Sequence, residues 1–278
     1  MRGAARLIAA ALLTLGAGAA IACEAVTGGH GQSGRSTEAE FTNSAPGGGR
    51  HENWVPRGTR LVMHAGFEAF SREYGHDVFG GLAHGKSLTI HVRVPGEARI
   101  TCPAGVVLPD GQVFEDIAPR LVDLTGDGLP EVVTVVSSVT RGAALAVYDR
   151  RGRLVAMTPP IGQANRWLAP AGFGDLDGDG RIEIAYVDRP HLAKVLRIWR
   201  LEGGRLREVA AAEGFTNHRI GDRVIHGGVR DCGQGAEVLT ADGAWSRLLA
   251  TRLRDGRIVA RDLGAYSARA MDRALDCR

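Results

Sequence analysis

The sequence predicts an all-β chain built from a repeated unit of about four short antiparallel strands. Three observations carry this. Short apolar runs recur between Gly, Pro and Asp: Leu88 to Val94, Val132 to Val136, Leu145 to Tyr148, Ile182 to Val187 and Val195 to Leu201. Val, Ile, Tyr and Trp fill several of them, as a pleated, half-buried surface favours. The chain holds 39 glycines in 278 residues, enough for many tight turns. Finally, Asp123-Leu124-Thr125-Gly126-Asp127-Gly128 returns 52 residues later as Asp175-Leu176-Asp177-Gly178-Asp179-Gly180. The turns Gly152-Arg153-Leu154, Gly204-Arg205-Leu206 and Gly256-Arg257-Ile258 keep the same spacing.

Two independent landmarks on one period define a structural repeat. Each unit reads as strand, acidic loop, strand, turn, strand, Gly-Arg turn, strand. Four strands in about 40–50 residues is the blade of a β-propeller, where small sheets bury both faces against their neighbours. A β-sandwich is the alternative, although nothing in a sandwich demands a fixed period. The expected fold is therefore a small β-propeller of about four blades over residues 57–266. Its units run roughly over 74–117, 118–167, 168–215 and 216–266, the first being the least regular.

The flanks read differently. Arg2 and Arg6 precede an apolar stretch from Leu7 to Ala19, and Ala20-Ile21-Ala22 offers small residues for cleavage. Such a segment is too short to span a bilayer comfortably and predicts a signal peptide over residues 1–22. The expected location is the periplasm or the cell surface. Cys23 follows at once and leaves a lipid anchor open, although Ala20 stands where lipoprotein signals usually carry Leu. Residues 23–56, rich in Gly and Ser, predict a flexible linker. In the tail, 267–278, Ala268, Met271 and Leu275 fall on one face of a short helix.

Export permits disulfides among Cys23, Cys102, Cys232 and Cys277. Three pairings of four cysteines exist. Cys232 with Cys277 is favoured because it would pin the tail onto the last repeat. Buried free thiols are the alternative.

The formal net charge of +3 is spread along the chain, and no basic stripe suggests nucleic acid. No His-x-x-x-His pair, nucleophile elbow or phosphate-binding glycine loop is present. The clusters Asp188-Arg189-Pro190-His191 and Asn217-His218-Arg219 could line one face of a propeller or serve as solvated loops.

The acidic loops carry the clearest chemistry. In the second, Asp175, Asp177, Asp179 and Glu183 place carboxylates at positions 1, 3, 5 and 9, and Arg181 offers a carbonyl at position 7. Calcium takes six to eight such oxygens. Four carboxylates in one tight loop are expected to repel one another unless a cation joins them. In the first loop Asp123, Thr125, Asp127, Leu129 and Glu131 hold the same positions. A hydroxyl there replaces one carboxylate, so weaker binding is expected. Position 12, where an EF-hand needs a bidentate Glu, holds Thr134 and Tyr186. An Asp/Gly turn without metal is the plain alternative.

An Asp-x-Asp-Gly-Asp-Gly-x-x-Glu loop running into an apolar strand, preceded by Phe173-Gly174 and repeated near every fifty residues, resembles FG-GAP repeats. These integrin α-subunit-like units are often grouped with VCBS repeats of exported bacterial proteins. The resemblance covers 118–215 well and 216–264 loosely. It implies a propeller with Ca²⁺ in the hairpin loops between the first two strands of a blade. The metal would be structural, and the propeller face would take a protein or glycan ligand. The third loop, Asp231-Cys232-Gly233-Gln234-Gly235-Ala236-Glu237, is two residues shorter and lacks the middle carboxylates, so no tight metal site is expected there. The functional expectation is an exported, non-enzymatic binding or scaffold protein. The rival is an exported hydrolase or lyase acting on a glycan or phosphoester.

Overall fold

The apolar run Val132–Val136 sets the architecture, because its strand is buried on both faces at once. The computed structural model describes residues 36–42, 58–93 and 104–278, all within a unit running from Gln32 to Arg278. The predicted signal peptide, Cys23 and Cys102 lie outside the described residues. Among these residues no helix is long and apolar enough to cross a membrane.

Four antiparallel sheets follow one another along the chain. The first contains β1 (Ser36–Thr42), β2 (Arg60–Glu68), β3 (Ser87–Arg93) and β4 (Ala104–Val107) in that order. In the second, β5 (Gln112–Phe114) and β6 (Arg120–Val122) both pair with β7 (Glu131–Ser138), followed by β8 (Gly142–Tyr148) and β9 (Leu154–Met157). The third is β10 (Leu168–Gly174), β11 (Glu183–Asp188), β12 (Val195–Glu202) and β13 (Arg205–Glu213). In the fourth, β14 (Phe215–Thr216) and β15 (Gly228–Asp231) pair with β16 (Ala236–Asp242), then come β17 (Arg247–Arg254) and β18 (Arg257–Ala265). This is the expected small all-β propeller of four blade-like sheets.

The cores lie between the sheets. Leu61, Met63 and Phe67 of β2 pack with Phe114, Val132, Val136 and Tyr148 of the second sheet. Val133 and Val135, on the opposite face of β7, join Leu145, Val147, Trp167, Ile184 and Tyr186. Burial on both faces explains why β7 and β8 read as continuous apolar runs. Ala185, Leu196 and Ile198 then meet Val238 and Leu253 between the third and fourth sheets. The far face of the fourth sheet is covered by α1 (Ala268–Leu275), whose Met271 and Ala274 lie on Leu239, Leu248 and Ala250. Ser267 caps that helix by accepting from the Ala270 amide at 3.1 Å.

The first sheet departs from expectation. It begins with β1, inside the stretch assigned to the linker, and its strand-poor part is residues 69–86. Ser-Thr-Glu-Ala-Glu-Phe-Thr has little apolar surface, so it looks like linker, yet it pairs with β2 from Ser36↔Gly66 to Thr42↔Arg60. Thr37 Oγ1 donates to the Pro119 carbonyl at 2.5 Å and ties β1 to the second sheet. The loop between β2 and β3 sends Val78 and Phe79 into the core between the second and third sheets. The Gly221 amide donates to the Val78 carbonyl at 2.9 Å, so loops of the first and fourth sheets meet.

Candidate functional site

The two acidic loops join equivalent strands, β6 to β7 and β10 to β11, and are wired alike. Asp123 Oδ1 accepts from the Gly126 and Asp127 amides (2.8 and 3.2 Å), and its Oδ2 from Gly128 (2.8 Å). Asp175 repeats this with Gly178, Asp179 and Gly180 at 2.7, 3.0 and 2.9 Å. Gly178 and Gly180 sit at φ +81° and +87°, the left-handed region that favours glycine. Asp127 and Asp179 each accept from the amide two residues on, Leu129 and Arg181. The ninth residue closes the loop. Glu131 Oε2 accepts from Leu124 N at 2.9 Å and Glu183 Oε2 from Leu176 N at 2.8 Å.

Carboxylate oxygens of Asp175, Asp177 and Glu183 all lie within 4.8 Å of one another. Hard oxygen donors at that separation suit calcium. The second loop nevertheless corrects one expectation, because its carboxylates do not face one another unscreened. Arg200, opposite Glu183 across β11 and β12, is buried among them. Its Nε donates to Glu183 Oε1 at 2.6 Å, its Nη2 lies 2.8 Å from Asp177 Oδ2, and its Nη1 lies 3.2 Å from Asp179 Oδ2. Asp179 also pairs with Arg181 at 2.6 Å, whose hydrogen bond chiefly holds its carboxyl low. Burial raises Glu183, with Arg200 opposing it.

The first loop is electrically different. Glu131 is pushed up to about 7, first by burial and then by the charges of Asp127 and Asp123 against its bond from Leu124. Arg150 acts on this loop through Asp127, while burial and Arg151 lower Arg150 itself. Thr125 is exposed.

In the fourth sheet Asp231 Oδ1 accepts from Gly233 and Gly235 at 2.8 and 3.1 Å. Glu237, at the ninth-residue place, meets Arg230, Arg252 and Arg261 at 2.9, 3.1 and 3.0 Å. Burial works to raise it, but hydrogen bonds from Arg261 and Arg230 outweigh this and hold it low. The favoured Cys232–Cys277 disulfide is present beside that loop.

A histidine cluster lies where loops of all four sheets converge, and its full extent was not read from sequence. His76 Nδ1 is 2.7 Å from Glu115 Oε1, and Glu115 is fully buried. Ser137 Oγ donates to the other Glu115 oxygen. His191 Nε2 is 3.0 Å from His218 Nδ1, and His218 Nε2 is 3.0 Å from the Asp222 carbonyl. That carbonyl only accepts, so the proton sits on His218 Nε2 and Nδ1 is the acceptor. His191 Nε2 is then the donor, leaving the lone pair on its Nδ1. His191 falls to about 4, because it is buried and faces His218 and His76. The other polar residues of these loops are structural. Asp188 pairs with Arg189 and Arg197, Asn217 donates to the Ala169 and Pro170 carbonyls, and Arg219 lies 4.0 Å over the Trp245 ring.

No curated protein matches the chain in sequence. Among solved structures it is similar to the Bacillus licheniformis rhamnogalacturonan lyase PL11, at 17% identity and TM-score 0.38, over 68% of this chain and 43% of that one. It is similar to the exotype rhamnogalacturonan lyase YesX at 14% identity and TM-score 0.39, over 82% and 45%. The major Malassezia sympodialis allergen Mala s 1 gives 12% identity and TM-score 0.39, over 73% and 60%. The chain thus spans about half the length of these structures. The family model described as the FG-GAP-like repeat matches residues 123–186, from Asp123 of the first acidic loop through the whole of the second and into β11. The chain therefore carries an FG-GAP-like repeat, bracketed by its two acidic loops.

Proposed function

We propose that the chain is an exported calcium-binding propeller module that presents a face to a protein or glycan ligand, with calcium in a structural role. The observation that carries the reading is the convergence of Asp175, Asp177 and Glu183 oxygens within 4.8 Å, in a loop whose wiring recurs at 123–131. The second loop would hold the ion through Asp175, Asp177, Asp179, the Arg181 carbonyl and Glu183. The first would use Asp123, Thr125, Asp127, the Leu129 carbonyl and Glu131. Bound calcium supplies positive charge that fixes the hairpins without entering a reaction. The test is a thermal melt of the mature protein with EGTA, then with calcium restored. A reversible fall in Tm, reproduced in part by Asp175→Ala and Asp179→Ala, is expected. A melt indifferent to EGTA sinks the reading. The mass of the mature N-terminus separates a cleaved secreted form from one lipidated at Cys23.

A second reading, an exported hydrolase or lyase, draws on the histidine cluster. A neutral His191, near enough to His76 to feel its charge, is chemically suited to general acid–base work. Screening glycans and phosphoesters tests it. Turnover lost in His191→Ala with the fold intact would favour the enzyme, and no turnover on any substrate would remove it.

A further inference from the structure

The outer face of the fourth sheet is apolar where α1 lies on it, over Leu239, Leu248 and Ala250. Residues two apart on a strand share a face, so Arg252 and then Arg254 follow Ala250 along β17. The register of β18 sets Val259 beside Arg252 and Arg261 beside Ala250. With Gln234 and Glu237 these side chains line a cavity of about 360 Å³, within the range of small-molecule sites. Its charge does not balance. Among the described residues Glu237 is the only carboxylate in the lining, against Arg252, Arg254 and Arg261. Arg230 and Arg252 already satisfy that carboxylate, at 2.9 and 3.1 Å. Their other donors go to main-chain carbonyls, Arg230 to Ala274 and Arg252 to Gln234 and Gly235. Arg261 reaches Glu237 through Nη2 alone, at 3.0 and 3.2 Å, and its side chain is 61% exposed. Among the described residues its Nε and Nη1 meet no acceptor, and neither do the exposed side chains of Arg254 and Gln234.

We propose that this cavity binds an oxyanion, the carboxylate or phosphate group of a small molecule, through Arg261 and Arg254 with Gln234 as a neutral donor. A guanidinium fork matches both groups in charge and in the spacing of its donors. Glu237 does not touch the ligand. It anchors one corner of Arg261, so the rest of the fork is held at the cavity wall instead of swinging freely in water. Arg230 and Arg252, with their donors spent, hold Glu237 in turn and tie the site to α1. Val259, 46% exposed, and Ala250 give an apolar wall on which the carbon skeleton of the ligand would rest. The site needs no metal and does not depend on the calcium reading above.

Calorimetric titration of the full chain at constant ionic strength, with inorganic phosphate and with glucuronate as probes, tests this. Saturable binding of at least one probe is expected, and the tighter of the two tells a phosphate site from a carboxylate site. Glucose, which lacks the charge, should not bind. Arg261→Gln and Arg254→Gln should each weaken binding by about tenfold or more, as loss of a charge-assisted hydrogen bond implies. Arg261→Lys, which keeps the charge but loses the fork, should fall between. Arg254 has no bond within the chain to lose, so its variant tests the site even if Arg261→Gln fails to fold. Arg247→Gln removes a charge elsewhere on β17, where Arg247 pairs with Asp262, and should leave affinity within about twofold. Saturation by neither probe, glucose binding as well as glucuronate, or equal losses in Arg247→Gln and Arg254→Gln would overturn the proposal.

Discussion

The indole N–H of Trp167 donates to the main-chain carbonyl of Glu115 across 2.8 Å. The same ring packs edge-on to Phe79 and His218, with centroids 5.0 and 4.9 Å away. One side chain beside the third sheet thus touches segments belonging to the first, second and fourth. Trp167→Ala should lower stability by about 3–5 kcal/mol, the range for emptying a large aromatic site. Trp167→Phe should cost less, retaining bulk but orphaning the carbonyl. Urea unfolding measures both, and a loss below about 1 kcal/mol for the alanine variant would count against this junction.

The histidine cluster gives a pH dependence with a definite sign. His191 moves from an ordinary 6.5 down to about 4, by burial and then by the positive charges it would meet at His218, His76 and Lys194. Between those values the unfolded chain binds a proton that the folded chain refuses. Stability therefore falls as pH drops through that window and is insensitive to this group above it. Replacing His191 by Gln should flatten the stability curve between about pH 6.5 and 4. A curve parallel to wild type contradicts the assignment.

The Cys232–Cys277 bond closes a sequence separation of 45 residues and holds the end of α1 to the acidic turn of the fourth sheet. Loop closure of that size stabilises by roughly 4 kcal/mol in the chain-entropy model. Cys277→Ser should lower Tm and increase hydrogen exchange first in α1, where Met271 and Ala274 cover the sheet. Exchange unchanged in the helix would show that packing alone retains it.

Gly142 begins β8 at φ +69°, and a Cβ there would lie 2.3 Å from the Gln163 carbonyl oxygen and 2.8 Å from that of Arg166. Both obstacles are backbone. Gly142→Ala should therefore cost about 3 kcal/mol or more, combining left-handed strain with overpacking. Gly203→Ala is the control, at φ +56° with nothing within 4 Å, and should cost about 1 kcal/mol. Equal losses in the two variants would contradict this account.

The sequence revealed what is periodic and local. Buried strands such as β7 and β8 show as apolar runs because both faces are covered, and the acidic loops show because their carboxylates alternate. It hid what is made across strands. β1 is polar and looks like linker, since its pairing is made by the main chain with a strand that begins only at Arg60. Arg200 is 17 residues from Glu183, so only the sheet register joins them. A signal did exist, for Arg200 and Arg252 share the 52-residue spacing, but the turn residues Arg153, Arg205 and Arg257 share it too. Glu115 and His76 are 39 residues apart and carry no motif. Even the expected repulsion among loop carboxylates failed for this reason, because its remedy sits on the neighbouring strand.

Each sheet draws its strands from one unbroken stretch of chain, and this shapes the route by which the molecule folds. Every ladder closes over a neighbouring segment, so its entropy of closure is met locally. The bond from Gly221 to Val78 is of another kind, because it brings loops of the first and fourth sheets together across most of the folded chain. The entropic barrier to completing the structure is concentrated in that meeting of two loops, while the strands on either side can already be in place.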